Sequence, residues 1–165
     1  MTLDDIPAGT AVLLDANILI YARRSASVQS QRLLVRCAAR EIRGFITAIA
    51  VAEFCHRRMM QESQSLGLVG ANPARALGQN PALLGQISQY RLDVEDLLAG
   101  DLTILPLDAA DVALALDLQR QHRLLTNDSL HLAAALRANL PALATNDHCF
   151  DQVNTMTIYK PDDVV

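Results

Sequence analysis

Apolar and polar positions along the chain follow two alternating rhythms. Short apolar runs break off at polar residues: AVLL (11–14) stops at Asp15, FIT (45–47) follows Gly44, LTILPL spans 102–107, ALAT (142–145) ends at Asn146 and Asp147, and TIY lies at 157–159. Runs of this length read as short buried strands. Between them the spacing lengthens to a helical period. Ile18, Leu19, Tyr21 and Ala22 open a helix after Asp15, and Val28, Leu33, Leu34, Val35, Ala38, Ala39 and Ile42 predict another over 28–43, with Gly44 placed to end it. Residues 48–62 continue as a helix carrying Glu53 and His56. Leu83, Leu84, Ile87, Tyr90, Val94, Leu97 and Leu98 predict a helix over 83–99, closed by Gly100. Asp108 or Asp111 is placed to cap a helix whose apolar face includes Val112, Leu114, Ala115 and Leu118. Asp128 precedes the helix SLHLAAALRANL, which Pro141 stops. Residues 63–82 hold Gly67, Gly70, Gly78, Asn72, Asn80, Pro73 and Pro81, and read as a loop or irregular insertion.

Strands alternating with helices need crossover connections. The expected fold class is therefore α/β, with a largely parallel sheet covered on both faces. The chain has 165 residues, no repeat and no sign of a second domain, so a single domain over 1–165 is expected. Apolar residues at 51% and charged residues at 19% exclude disorder along the whole chain. The absence of Trp and 4% aromatics argue against a sugar-binding face or a base-stacking platform. No apolar run reaches the ~18–20 residues of a membrane helix. The start, MTLDDIPAGT, has two acids before any base, so no signal peptide is expected. Cys37, Cys55 and Cys149 form no C-x-x-C, which points away from a disulfide scaffold or zinc site and toward a reducing cytoplasm.

Charge is unevenly spread. The net charge is −4, yet residues 23–58 hold eight arginines against Glu41 and Glu53, while residues 93–117 hold seven acids and no base. Arg23 and Arg24 are candidate phosphate contacts, since the guanidinium fork suits phosphate oxygens. Solvated helix faces are the plain alternative.

Three acids sit where ligands bind in open α/β sheets, beyond the carboxyl ends of strands. Asp15 follows the first strand, Asp147 follows ALAT, and Asp128 stands at a helix start in LLTNDSLHLA. Glu53 lies early in the helix after the second strand. If those strands are neighbours, the four carboxylates converge. Their repulsion then requires raised pKa values or a cation. Oxygen donors without a supporting His or Cys pattern point to Mg²⁺ or Mn²⁺ and to phosphodiester hydrolysis. Taken singly, Asp15 or Asp128 reads equally as a helix cap, Asp147 as a turn residue, and Glu53 as a salt-bridge partner of Arg57. Thr145 and Asn17 are placed to orient a carboxylate or a bound water.

VLLDANILIYA, AVAEFCHR, LLTNDSLHLAAA and ALATND-x-x-F together resemble the PIN-domain nucleases, most closely the VapC-type toxins of toxin–antitoxin systems. The family's Asp with Asn two residues on is matched by Asp15 and Asn17, its helical Glu by Glu53, its Asp before an A/L-rich helix by Asp128, and its T-x-D-x-x-F by Thr145, Asp147 and Phe150. The blocks occur in family order over residues 11–150. The resemblance implies a three-layer α/β/α fold, a Mg²⁺ or Mn²⁺ site at Asp15, Glu53, Asp128 and Asp147, and cleavage of single-stranded RNA. It also implies a homodimer and a small antitoxin partner. Residues 63–100 look longer than the matching part of compact members.

Other readings fit less well. Glu53 and His56 form E-x-x-H, as in di-iron bundles, but no second E-x-x-H follows. A D-x-D phosphotransfer site would need Asp where Asn17 stands, and a receiver-like domain would need a strand-end Lys, whereas the only Lys is Lys160. GxxxxGK[ST] and GxGxxG are absent. His131 reads as a packed or capping histidine, His148 as a neighbour of Asp147, and Cys55 and Cys149 as ordinary small residues. Two further classes stay open: a PIN-fold RNA-processing nuclease outside a toxin–antitoxin pair, and a catalytically silent binding module. The presence of all four acids favours an enzyme.

Overall fold

The computed structural model describes residues 1–165. Strands β1 (Ala11–Leu14), β2 (Arg43–Thr47), β3 (Thr103–Leu105), β4 (Ala142–Ala144) and β5 (Thr157–Tyr159) form one sheet in the order β3-β2-β1-β4-β5, and every neighbouring pair is parallel. The helices are α1 (Ala16–Arg23), α2 (Val28–Ala38), α3 (Ala48–Ser65), α4 (Pro73–Gln79), α5 (Gln89–Ala99), α6 (Ala109–His122) and α7 (Thr126–Arg137). The chain steps outward from β1 to β2 and β3, then returns to the other side of β1 for β4 and β5. The order thus reverses between β1 and β4, and a crevice forms beyond the strand ends at such a reversal.

All four β1 residues are buried because both sheet faces are covered. Val12 and Leu14 pack with Ile18, Leu33, Ile46 and Phe54 on one face. Ala11 and Leu13 pack with Leu118, Leu132 and Phe150 on the other. This is the three-layer α/β/α architecture. Ala133, Ala134 and Ala135 are fully buried in α7, which packs chiefly against α6. No helix is long and apolar enough to cross a membrane.

Local chemistry sets the element ends. Ser27 caps α2 by accepting the Ser30 N–H at 2.9 Å, and Thr47 caps α3 by accepting the Ala50 N–H at 3.2 Å. Asp108 and Asp111 form a capping box on α6. The expected stop of the 28–43 helix at Gly44 is corrected. α2 ends at Ala38, Arg40 takes the left-handed conformation (φ +58°), and the Arg40 and Glu41 N–H groups close on the Cys37 and Arg36 carbonyls. Gly44 instead lies in β2, where a Cβ would run into Leu102 and Cys37. Its smallness serves sheet packing and not a helix terminus.

Residues 63–82 are more regular than a loop. α3 runs on to Ser65 and is closed by Gly67 at φ +68°, and Pro73 then opens α4 at its first turn, where a missing N–H costs nothing. The helix expected over 83–99 begins only at Gln89, because Pro81–Gln86 is a 3-10 segment and Ile87 is extended. Ser88 makes no side-chain cap. Glu62 of α3 replaces it, accepting the N–H groups of Ser88, Gln89 and Tyr90 at 2.8–2.9 Å. The start of α5 is thereby anchored to α3.

Candidate metal centre

Asp15, the N-cap residue of α1, emerges directly from β1. Its Oδ2 accepts from the Thr145 hydroxyl at 2.6 Å and from Asn17 Nδ2 at 2.6 Å. Thr145 is fully buried just past β4, and its Oγ1 also accepts from Asn17 Nδ2 at 3.2 Å and the Asp147 N–H at 3.0 Å. Asn17 Oδ1 accepts the Asn146 N–H at 3.2 Å. The network uses the full hydrogen-bonding capacity of the Thr145 hydroxyl and ties the ends of β1 and β4 together. Both donors fall on one Asp15 oxygen, so the other carries no side-chain donor.

Asp147 caps the 3-10 turn His148–Gln152 by accepting the Cys149 N–H at 2.9 Å, and its side chain is exposed. Asp128 is half-buried. It sits inside the first turn of α7, whose N-cap is Leu125, so the expectation that it precedes the helix is corrected by three residues. The helix starts early because the extended Leu125 already turns the chain. Glu53 is in the second turn of α3 and pairs with Arg57 at 2.7 Å. The salt bridge read from sequence is therefore present, at a carboxylate that also faces the cluster.

The electrostatics bring the four acids into one field. Burial raises the Asp128 carboxyl, and Asp147, Asp15 and Glu53 raise it further against a Cys149 hydrogen bond. Burial likewise raises Asp15, with Asp147 adding to it and Thr145 opposing. Ligand atoms of Asp15, Glu53 and His131 lie within 4.8 Å of one another, as do those of Asp128, Asp147 and Cys149. Burial and then the Asp147 hydrogen bond hold the Cys149 thiol protonated, with its pKa well above the usual range, which removes it as a nucleophile.

His131 is packed, as read from sequence, but its closeness to Asp15 and Glu53 was not foreseen. Its ring is 3% exposed, Nδ1 lies 2.7 Å from Thr47 Oγ1, and Nε2 has no partner. Burial lowers its pKa to about 4, against the pull of Glu53, so it is neutral at pH 7. Its spacing of three from Asp128 was the available signal, since such residues share a helix face. His148 is exposed, and its Nδ1 lies 3.1 Å from Asp151 Oδ2.

The charged segments neutralise each other. Arg23 and Arg58 both bind the buried Asp93, and Arg40 pairs with Asp101 at 3.2 Å. Arg32, Arg36 and Arg57 are also paired, which leaves Arg24 and Arg43 without an ion partner. Burial opposes the ionised Asp93, but hydrogen bonds from Gln89, Arg58 and Arg23 outweigh it and hold the carboxyl below its usual range. A separate, largely apolar cavity of about 350 Å³ between α1, α2, α3 and α5 includes none of the four acids.

Oxygen donors backed by hydroxyl, amide and backbone partners suit a divalent cation such as Mg²⁺ or Mn²⁺. The four acids share one field, and two of them carry raised pKa values. That excess negative charge is what a bound cation relieves.

Several solved structures share this fold. The toxin–antitoxin complex VapBC2 of Rickettsia felis, bound to a promoter DNA fragment, superposes with a TM-score of 0.63 at 17% identity, covering 93% of this chain and 100% of that one. A toxin–antitoxin complex from Klebsiella pneumoniae gives 0.57 at 18%, covering 93% and 99%. FitAcB from Neisseria gonorrhoeae gives 0.53 at 18%, covering 90% and 96%. At these identities the likeness is one of fold. No curated protein matches by sequence. The PIN domain family model matches residues 12–155, a span that holds all but the first residue of β1, all of β4 and all four acids, and the chain belongs to the PIN domain family.

Proposed function

We propose that the chain is a metal-dependent endoribonuclease that hydrolyses phosphodiester bonds in single-stranded RNA, and that it is the toxin of a cytoplasmic toxin–antitoxin pair. One observation supports the reading: acid oxygens gather in two groups, Asp15 with Glu53 and Asp128 with Asp147, with Asp15 and Asp147 just past β1 and β4 where the strand order reverses. Asp15, Asp128 and Asp147 would hold Mg²⁺ or Mn²⁺ or its waters. Glu53 would complete the site by orienting the attacking water. When bound, the ion supplies an activated water and a counter-charge for the phosphate oxygens. Thr145 and Asn17 fix one Asp15 oxygen and so aim the carboxylate. Arg24, free of ion partners, would contact the RNA backbone, and Arg23 would reach it only by sharing its guanidinium with Asp93.

The toxin role is supported by the solved relatives, which are themselves toxin–antitoxin complexes. A homodimer is supported by Val112 and Leu116, one turn apart on α6 and 50% and 58% exposed. The whole chain, 1–165, is read as one domain.

The test is cleavage of mixed single-stranded RNA with Mg²⁺, Mn²⁺ or EDTA. Cleavage that EDTA abolishes is expected. Cleavage indifferent to EDTA would overturn the metal mechanism, and no cleavage with either ion would favour a silent binding module.

A further inference from the structure

We infer that His131 belongs to the metal centre as a nitrogen donor, so that the site is a mixed oxygen–nitrogen one and not purely carboxylate. The inference rests on the metal-dependent reading above and adds a ligand to it.

The side chain is buried at 3% exposure, and Nε2 has no hydrogen-bond partner. Leaving a buried ring nitrogen unpaired is costly, and an apolar residue of similar size would fill the same space without that cost. Nδ1 is engaged by Thr47, which leaves Nε2 as the ring nitrogen without a partner. A ring nitrogen and the Asp15 and Glu53 oxygens lie within 4.8 Å of one another, a spacing that one ion can span.

Thr47 is compatible with the tautomer this requires. Its Oγ1 accepts the Ala50 N–H with one lone pair, and the other is available to Nδ1–H of His131 at 2.7 Å. With the proton on Nδ1, the Nε2 lone pair is free to bind an ion. Metal-bound histidines are held in this way, through the ring nitrogen that does not bind the ion. Thr47 also caps α3, the helix that carries Glu53, so one hydroxyl orients the ring and anchors the start of that helix. Asp128 and His131 give α7 an oxygen and a nitrogen donor on one face.

Carboxylates alone serve Mg²⁺ and Mn²⁺ alike, whereas an imidazole favours the transition metal. The expected consequence is a preference for Mn²⁺ that depends on His131.

The experiment titrates Mn²⁺ into the full chain and follows it by electron paramagnetic resonance. Loss of the free-ion signal reports binding, and nitrogen modulation in the pulsed spectrum reports a directly bonded ring. Wild type is expected to bind Mn²⁺ with ¹⁴N coupling. His131→Gln is expected to keep a bound ion, lose the coupling, and weaken Mn²⁺ by roughly tenfold with a smaller change for Mg²⁺ measured by competition. Bound Mn²⁺ without nitrogen coupling in wild type overturns the inference and leaves the metal-dependent reading intact; it would assign Nε2–H as a donor to the carboxylates. Coupling that persists in His131→Gln also overturns it. Failure of wild type to bind Mn²⁺ or Mg²⁺ overturns both. If His131→Gln does not fold, ¹⁵N-histidine labelling of wild type decides: the pattern must change from ¹⁴N to ¹⁵N, and an unchanged pattern rejects the assignment.

Discussion

The Thr145 hydroxyl donates to Asp15 Oδ2 at 2.6 Å, joining the ends of two neighbouring strands across 130 residues of chain. Thr145→Val keeps the shape and removes this donor, leaving the Asp147 N–H and Asn17 Nδ2 without the hydroxyl acceptor. We expect a loss of about 1–3 kcal/mol in stability and a fall in kcat of at least roughly tenfold, from a misaimed Asp15. Melting curves and single-turnover cleavage separate the two effects. A destabilised variant with an unchanged rate per folded molecule would confine Thr145 to structure.

Asp15→Asn should act in opposite directions on activity and stability. The raised folded pKa of Asp15 means its ionised form is penalised at neutral pH, and the penalty is relieved as pH falls through that value. Asn removes the charge, and its carbonyl can take the place of Oδ2. Cleavage should drop by orders of magnitude while the melting temperature at pH 7 holds or rises. A lower melting temperature would instead favour a purely structural role for the carboxylate.

Glu62 gives a pH dependence of the reverse sign. Burial opposes its ionised form, but the three N–H groups at the start of α5 outweigh that and lower its pKa. Its contribution is present above the unfolded value of about 4.3 and is lost as pH falls through the lower folded value. Glu62→Gln should cost about 1 kcal/mol at pH 7, as for a lost helix cap. Urea unfolding should show that gap closing near pH 3. A gap that persists in acid would mean that the negative charge plays no part.

The two adjacent arginines should separate. Arg24 has no ion partner, so Arg24→Gln should leave stability unchanged and flatten the salt dependence of RNA binding by ~0.7 per lost phosphate contact. Arg23 helps neutralise the buried Asp93, so Arg23→Gln should lower stability. Equal salt slopes for Arg24→Gln and wild type would remove Arg24 from the RNA path.

The strands and the four acids were legible because both follow from local pattern: an apolar run buried on two faces, then a carboxylate where the run ends. Asn17 and Thr145 were legible for the same reason, being two residues from Asp15 and Asp147. The partner of Arg23 was not, since Asp93 lies 70 residues away and only packing of α5 on α3 brings it near. Gly44 misled because its role depends on Cys37 and Leu102, which no local window relates to it. His131 looked like one more residue of a packed helix. Its distinction lies in a nitrogen with no partner, which only the fold reveals.

The reversal of strand order beside β1 also bears on how the chain acquires chemistry as it folds. Asp15 and Glu53 arrive with β1, β2 and the helices that follow them, whereas Thr145 and Asp147 arrive only when β4 docks against β1, closing a loop of some 130 residues. Long-range pairings of this kind tend to form late. A nascent chain, a truncated fragment or a partly folded intermediate holds half a carboxylate cluster and lacks the hydroxyl that aims Asp15. Chemical competence therefore coincides with completion of the fold. Two fragments divided near Gly70 would each be inert and would regain a centre only by reassembling, which makes the site its own reporter of integrity.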